Sequence, residues 1–177
     1  MCTKIIKVIE LKLIKLRNED IKEFKKLMQE SFQYGYESVY GKCKEQVLPD
    51  KDIDENLNNP NSHAYEMIDN QEIVGGVIVT IDEKTNYNHL DFLFVKVGVQ
   101  SKGIGQTIWK EIEKLYPNTK VWETCTPYFD KRNIHFYVNR LKFHIVEYFN
   151  EKNPDYNRPL DCYEEDSGMF RFEKVMK

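Results

Sequence analysis

Leu93-Phe94-Val95-Lys96-Val97-Gly98-Val99-Gln100-Ser101-Lys102-Gly103-Ile104-Gly105-Gln106 decides how this chain is read. An apolar run, Leu90 and then Phe92 to Val95, ends in a glycine-bearing turn and passes straight into a segment with helical spacing. The run has the composition of a short strand buried on both faces. Past the turn, Ile104, Ile108, Ile112 and Leu115 recur at the helical period, with Lys110, Glu111, Glu113 and Lys114 turned mostly to solvent, until Tyr116-Pro117-Asn118 stops the helix. Gly103 and Gly105 remove side chains from the first turn, where N–H groups lack intrahelical partners and the helix dipole is positive. A strand-to-helix junction of this kind suits a diphosphate.

Two phosphate motifs fail on named positions. Gly98 and Gly103 have the gap of a Walker A loop, but Ile104-Gly105 stands where Lys-Ser/Thr must reach the outer phosphates and magnesium. A dinucleotide fingerprint needs glycine or alanine at Ile108 and an acidic residue ending a second strand at the usual distance, which is missing. What remains is Gln100-x-x-Gly103-x-Gly105, and downstream Asn133-Ile134-His135-Phe136-Tyr137-Val138-Asn139-Arg140-Leu141-Lys142-Phe143. The first resembles the Q/R-x-x-G-x-G/A signature of the GNAT N-acetyltransferase superfamily. The second resembles that family's later block, an asparagine followed by a Phe-Tyr pair, a glycine and a phenylalanine. Leu141 departs from it by standing where glycine usually ends the helix, so the turn toward Phe143 is expected to have its own geometry.

The resemblance implies an α/β (α+β) fold: a mixed, mostly antiparallel sheet of six to seven strands with helices on both sides. In it the strand before the glycine loop and the strand after its helix splay apart to admit acetyl-CoA. It also implies that Gln100, Ser101, Lys102, Gly103, Ile104, Gly105 and Gln106 hold the pyrophosphate of coenzyme A beside the strand end Phe94, Val95 and Val97. Asn133 would reach the pantetheine arm with Phe136 nearby, and Tyr137 would protonate the departing thiolate.

Bulk properties agree with a small enzyme. The chain has 177 residues and a formal charge of -3, enough for one domain, residues 1–177, with a core of its own. Lysines and acids are interspersed, giving no nucleic-acid-binding face. No apolar run has the length of a membrane span, and Met1 to Lys7 lacks a signal peptide's apolar stretch, so the cytoplasm is the expected location. Cys2, Cys43, Cys125 and Cys162 are far apart, which argues against a disulfide framework or a zinc site and for free thiols in a reducing compartment.

Strands and helices alternate without repeat or linker. Ile9 to Leu16 reads as a first strand, and Asn18 as the cap of a helix carrying Ile21, Phe24, Leu27, Met28 and Phe32 on one side, leading to an aromatic segment with Tyr34, Tyr36 and Tyr40. Asp50 to Leu57 reads as a second helix. Strands over Ala64 to Ile68 and Ile73 to Ile81 flank a turn at Asp69-Asn70. After the glycine-loop helix come a strand over Lys120 to Thr124, a helix over Lys131 to Leu141, a strand over Phe143 to Asn150, a loop over 151–167 and a last strand over Met169 to Met176.

Acyl transfer to an amine needs a base for the ammonium proton and an acid for the thiolate. Tyr137 is the expected acid, and backbone N–H groups from Val95 to Val97 are expected to meet the oxyanion. His89, Asp91, Leu93 and Val95 would share one face of their strand by alternation, making His89 and Asp91 candidate bases, with Glu123 on the next strand a third. Direct transfer in a ternary complex is the family's usual route. Cys125 could take the acetyl group first, but a lone cysteine after a strand reads as a small packed residue and is left out of the catalytic set.

By resemblance the acceptor, a small-molecule or peptide amine, would meet Tyr34, Tyr36, Glu37, Trp122, Tyr128 and the loop from Glu151 to Gly168. That loop's acids, Asp155, Asp161, Glu164, Glu165 and Asp166, would suit a cation and equally a solvated loop. Another acyl-CoA, a hydroxyl acceptor or a silent CoA-binding sensor would keep the same motifs. The aromatics from Tyr34 to Tyr40 fit an acceptor pocket or a dimer contact, so monomer and homodimer are both open.

Overall fold

A computed structural model describes residues 11–100, 102–155 and 168–177. In chain order these form β1 (Lys12–Lys15), α1 (Ile21–Tyr40), α2 (Asp50–Asn58), β2 (Ser62–Asp69), β3 (Glu72–Thr80), β4 (Tyr87–Val95), α3 (Ile104–Leu115), β5 (Val121–Pro127), α4 (Lys131–His135), β6 (His144–Phe149) and β7 (Met169–Val175). The described strands make one sheet in the order β1-β2-β3-β4-β5-β7-β6, in which β4 and β5 run parallel and every other neighbouring pair antiparallel. Among the described residues no helix is long and apolar enough to cross a membrane.

The sheet is covered on both faces, by two separate apolar clusters. On one face Phe24, Leu27 and Met28 of α1 and Ile53 of α2 pack on Ile73, Ile78 and Phe94. On the other, Ile104, Ile108, Trp109 and Ile112 of α3 pack on Val77, Val79, Leu90 and Trp122, with Tyr137, Leu141, Phe143 and Phe172 extending the cluster. The paired glycines of β3 let the helices come close. A Cβ at Gly76 would lie 2.2 Å from the Phe24 ring, and one at Gly75 would lie 2.7 Å from the Phe94 carbonyl oxygen and 3.0 Å from Ile108.

Several elements differ from the sequence reading for local reasons. β1 is shorter than Ile9 to Leu16, and Ile9 and Glu10 lie outside the described residues. Asn18 does not cap α1: Asn18–Asp20 form a 3-10 turn, and α1 begins at Ile21 and continues through Tyr34, Tyr36 and Tyr40 to Gly41. The β2–β3 turn is centred one residue later than Asp69-Asn70, with Asn70 and Gln71 both left-handed (φ 49° and 70°), the pair of conformations that a tight hairpin needs. The helix expected over Lys131 to Leu141 is α-helical to His135 and then widens into a π turn, Phe136–Arg140, closed by the Leu141 amide donating to the Phe136 carbonyl at 3.0 Å. At the position where the family pattern has glycine, Leu141 is buried in the core, and the left-handed turn passes to Lys142 (φ 67°). Of the loop over 151–167, residues 156–167, including Asp161, Glu164, Glu165 and Asp166, lie outside the described residues.

Candidate active site at the fork between β4 and β5

β4 and β5 pair over only three positions, Tyr87 with Val121, Asn88 with Trp122 and His89 with Glu123. A last link joins them where the Thr124 hydroxyl donates to the Leu90 carbonyl at 2.9 Å. Beyond it β4 stays with β3 to Val95, and β5 stays with β7 to Pro127, so the two strands part. Backbone groups along a parting pair are not consumed by a ladder, which makes such a fork a place for an extended ligand.

The mouth of the fork is the glycine loop. Gly103 precedes α3 in a left-handed conformation (φ 79°), and among the described residues no side chain caps the first turn, so that end of α3 has N–H groups able to meet an outside acceptor. The two glycines have different jobs. A Cβ at Gly103 would meet nothing within 4 Å, so its role is conformational, whereas one at Gly105 would lie 3.0 Å from the Phe136 ring and 3.5 Å from Val95. Gly105 therefore closes packing between α3 and the Phe-Tyr block and does not unscreen donors. Ile104 and Phe94 have buried side chains and present only backbone here, and Lys102 is exposed with Gln100 and Gln106 half-buried; Ser101 lies outside the described residues. The Lys96 amide donates to the Val74 carbonyl at 2.9 Å, which removes it from the expected oxyanion donors and leaves Val95 and Val97.

Past the end of β5, Asp130 caps α4 by accepting from the Asn133 amide at 2.9 Å and from the Asn133 side chain at 2.7 Å. The Asn133 NH₂ is thereby engaged with Asp130. Tyr137 is buried among Phe136, Phe143 and Phe172. Burial pushes its phenol well above the ordinary value, the Asp130 carboxylate adds to this, and a hydrogen bond with Thr124 opposes it. The phenol keeps its proton across the physiological range.

Above the fork, on the α1 side, the strands carry a polar cluster. The Asp91 carboxylate accepts from His89 Nδ1 at 2.9 Å and from the Thr80 hydroxyl of β3 at 2.8 Å. His89 Nε2 lies 4.0 Å from Glu123, and Glu123 accepts from Arg171 of β7 at 2.8 Å. Arg171 also reaches Glu147 and Glu173 at 3.0 and 2.7 Å. Burial, the largest influence on His89, pulls its pKa down, but hydrogen bonds to Asp91 and Cys125 outweigh it and hold the imidazole at about 9.

Simple alternation misplaces part of this strand. Asp91 is an extra residue in β4, since Ile78 pairs with Phe92 and Val79 with Leu90. His89 and Asp91 thus face α1, while Leu93 and Val95, expected on the same face, pack with the α3 cluster. Thr80, at the end of β3, and Arg171, between Phe170 and Phe172 in β7, were the members that sequence patterning missed. The alternation of Glu123 with Cys125 and of Arg171 with Glu173 was the available signal.

The expected acceptor residues do not come together. Trp122 is fully buried against Trp109, with ring centroids 5.1 Å apart on the α3 face, and cannot touch an acceptor. Tyr36 stacks on Tyr40 and Phe129 at 4.9 and 5.6 Å, fastening the end of α1 to the β5–α4 turn. Tyr128 lines a cavity of about 520 Å³ with Tyr40, Asp130, Arg132 and Tyr148. Tyr34 and Glu37 line a different hollow of about 680 Å³ that reaches Val97. There, hydrogen bonds from Lys42 and Gln33 lower the Glu37 carboxyl to about 2. Among the described residues no cluster of His, Cys, Asp and Glu is arranged to hold a metal ion, and Cys43 and Cys125 are free thiols.

Comparison with known proteins agrees with this architecture. The model of the acetyltransferase (GNAT) family matches residues 22–143. The chain is 40% identical to the uncharacterized protein YrkN of Bacillus subtilis (strain 168), over 91% of each. Its fold is similar to that of the PaiA N-acetyltransferase of Thermoplasma acidophilum, solved in complex with coenzyme A (TM-score 0.67, 18% identity, 94% of this chain and 99% of that one). It is equally similar to a GNAT family acetyltransferase of Elizabethkingia anophelis with acetyl-CoA bound (TM-score 0.68, 15% identity, 94% and 98%). With both the family blocks and the forked sheet in place, this chain belongs to the GNAT acetyltransferase family.

Proposed function

We propose that this protein, acting in the cytoplasm as a single-domain enzyme, moves the acetyl group of acetyl-CoA directly to a primary amine. The observation that carries this reading is the fork itself: an uncapped α3 end at its mouth, a buried phenol on one side and an imidazole–carboxylate pair on the other. Gln100, Lys102 and the backbone from Gly103 to Gln106 would hold the diphosphate, and the Asn133 carbonyl oxygen would meet the pantetheine amides. Acetyl-CoA supplies the activated carbonyl and a thiolate leaving group.

Tyr137 keeps its proton until the thiolate departs and then donates it. Both oxygens of Asp91 already accept hydrogen bonds, so its part is to orient His89. Glu123 is held by Arg171, which leaves His89 as the base that receives the ammonium proton. An imidazole held at about 9 is mostly protonated at neutrality, so turnover should climb as pH rises toward 9.

Thermal unfolding with and without acetyl-CoA tests the cofactor, repeated on Gly103→Glu. Ligand at about a hundredfold over its dissociation constant should add roughly 2.7 kcal/mol, a shift of several degrees at about 2–4 °C per kcal/mol. The variant strains a left-handed position and repels the diphosphate, so its shift should vanish; an equal shift in both proteins would sink the loop assignment. An amine screen followed by free-thiol release then identifies the acceptor.

A further inference from the structure

The side of α1 that packs on the sheet carries a polar residue out of pattern. Phe24, Leu27 and Met28 form the apolar stripe, and Ser31 takes the next place along it, two turns after Phe24. A serine inside a helix commonly turns its hydroxyl back to a carbonyl of the preceding turn. The half-buried Ser31 hydroxyl instead crosses to the sheet and donates to the Val95 carbonyl at 3.2 Å. Val95 ends β4 on the edge that β5 has already left, since the last register pair between the two strands is His89 with Glu123. The Lys96 amide points the other way, to the Val74 carbonyl at 2.9 Å, so by alternation both the N–H and the carbonyl of Val95 face the fork. The peptide joining Val95 to Lys96 is thus held at both edges, by Ser31 and by Val74. On a third side the Val95 side chain packs with the α3 cluster, 3.5 Å from where a Cβ at Gly105 would stand.

We propose that Ser31 is a positioning residue for acetyl transfer: by holding the Val95 carbonyl it aims the Val95 N–H at the thioester oxygen. The proposal rests on the reading that acetyl-CoA lies in the fork with its thioester beside Val95. As the amine adds to the acetyl carbon, negative charge gathers on the oxygen of that carbon. On a bare strand edge this oxygen would meet an attractive N–H and a repulsive carbonyl from the same residue. The hydroxyl proton of Ser31 offsets the carbonyl dipole and stops the peptide from tilting, so the donor is set before the charge develops. It also fixes register. With its carbonyl engaged, Val95 offers the fork a donor, and the ligand group that comes to rest there is one that accepts, a carbonyl oxygen and not an amide N–H. Ser31 acts through Val95 and not on the acetyl group.

The experiment is infrared spectroscopy of the full chain with acetyl-CoA isotopically labelled at the thioester carbonyl, beside thermal unfolding of the same samples. In the unmutated protein the carbonyl band should move below its frequency in buffer, because a fixed donor polarises the bond more than water does. Ser31→Ala should lose about half of that displacement or more, while acetyl-CoA still raises Tm as in the parent. Ser31→Thr keeps the hydroxyl and should restore the band. Ser31→Cys, similar in size with a weaker donor, should fall between, so the comparison survives if the alanine variant does not fold. A band that stays in place in Ser31→Ala, or one that Ser31→Thr fails to restore, overturns the positioning role and leaves the cofactor reading standing. A thermal shift without any band displacement in the unmutated protein does the same. Absence of both overturns the two readings together.

Discussion

The two faces of the sheet meet at the same fork and are built by opposite rules. On the α3 face, Leu90, Trp109, Trp122, Tyr137 and Phe172 are closed to solvent, and the Tyr137 phenol is surrounded by rings. On the α1 face, Thr80, His89, Asp91, Glu123 and Arg171 form a polar layer contributed by four strands, with hydrogen bonds joining Thr80, Asp91 and His89 and joining Glu123 to Arg171. The first arrangement fixes a proton by denying the ionised form any solvent. The second keeps charge in place by surrounding it with partners. The difference suggests a division of labour, with leaving-group chemistry on the dry side and acceptor chemistry on the wet side.

The sharpest break would come from Tyr137→Phe. Removing the phenol proton from the dry side should lower kcat by about 10²–10⁴ with little change in acetyl-CoA affinity, measured by thiol release and by thermal shift. A normal rate would take Tyr137 out of the acid role and empty the dry face of chemistry. Next, Trp122→Ala should destabilise the protein by about 3–5 kcal/mol in denaturant titration, because it hollows the contact with Trp109. A mild effect on stability with a strong effect on KM for the amine would restore Trp122 to the acceptor site.

On the wet side the effect is one of pH. The His89 pKa is raised from 6.5 to about 9 in the folded protein, so its stabilisation is fully present below about 6.5 and is lost as pH rises through 9. The Tm difference between the parent and His89→Gln should therefore be largest in mild acid and should vanish above about pH 9. A constant difference would mean that the residue acts by packing. The smallest effect expected is a gain: Lys142→Gly relieves a left-handed non-glycine residue and should stabilise by roughly 1 kcal/mol, offset in part by losing the Lys142 bond to the Asn139 carbonyl.

The sequence carried the dry face more plainly than the wet one. Helical spacing in α3, the apolar run of β4 and the Phe136-Tyr137 pair are strong local patterns, and each appears where expected. The junction at Gly103 was legible because a turn into an uncapped helix has few other uses. The wet face depends on register between strands far apart in sequence. Nothing near Arg171 announces that it will meet Glu123 and Glu147, and the alternation that should have sorted β4 fails at Asp91. Trp122 was placed with the acceptor by resemblance, yet strand alternation sends it into the core.

The extra residue in β4 has a consequence for how such a protein can change. Leu90 and Phe92 already occupy opposite faces, so Asp91 sits between them as a guest, not as a step in the alternation. Deleting it would leave Leu90, Phe92, Leu93 and Phe94 each on its present side while stripping the imidazole of its carboxylate. Architecture and chemistry are thus written on the same strand in separable scripts, and one can be edited without rewriting the other.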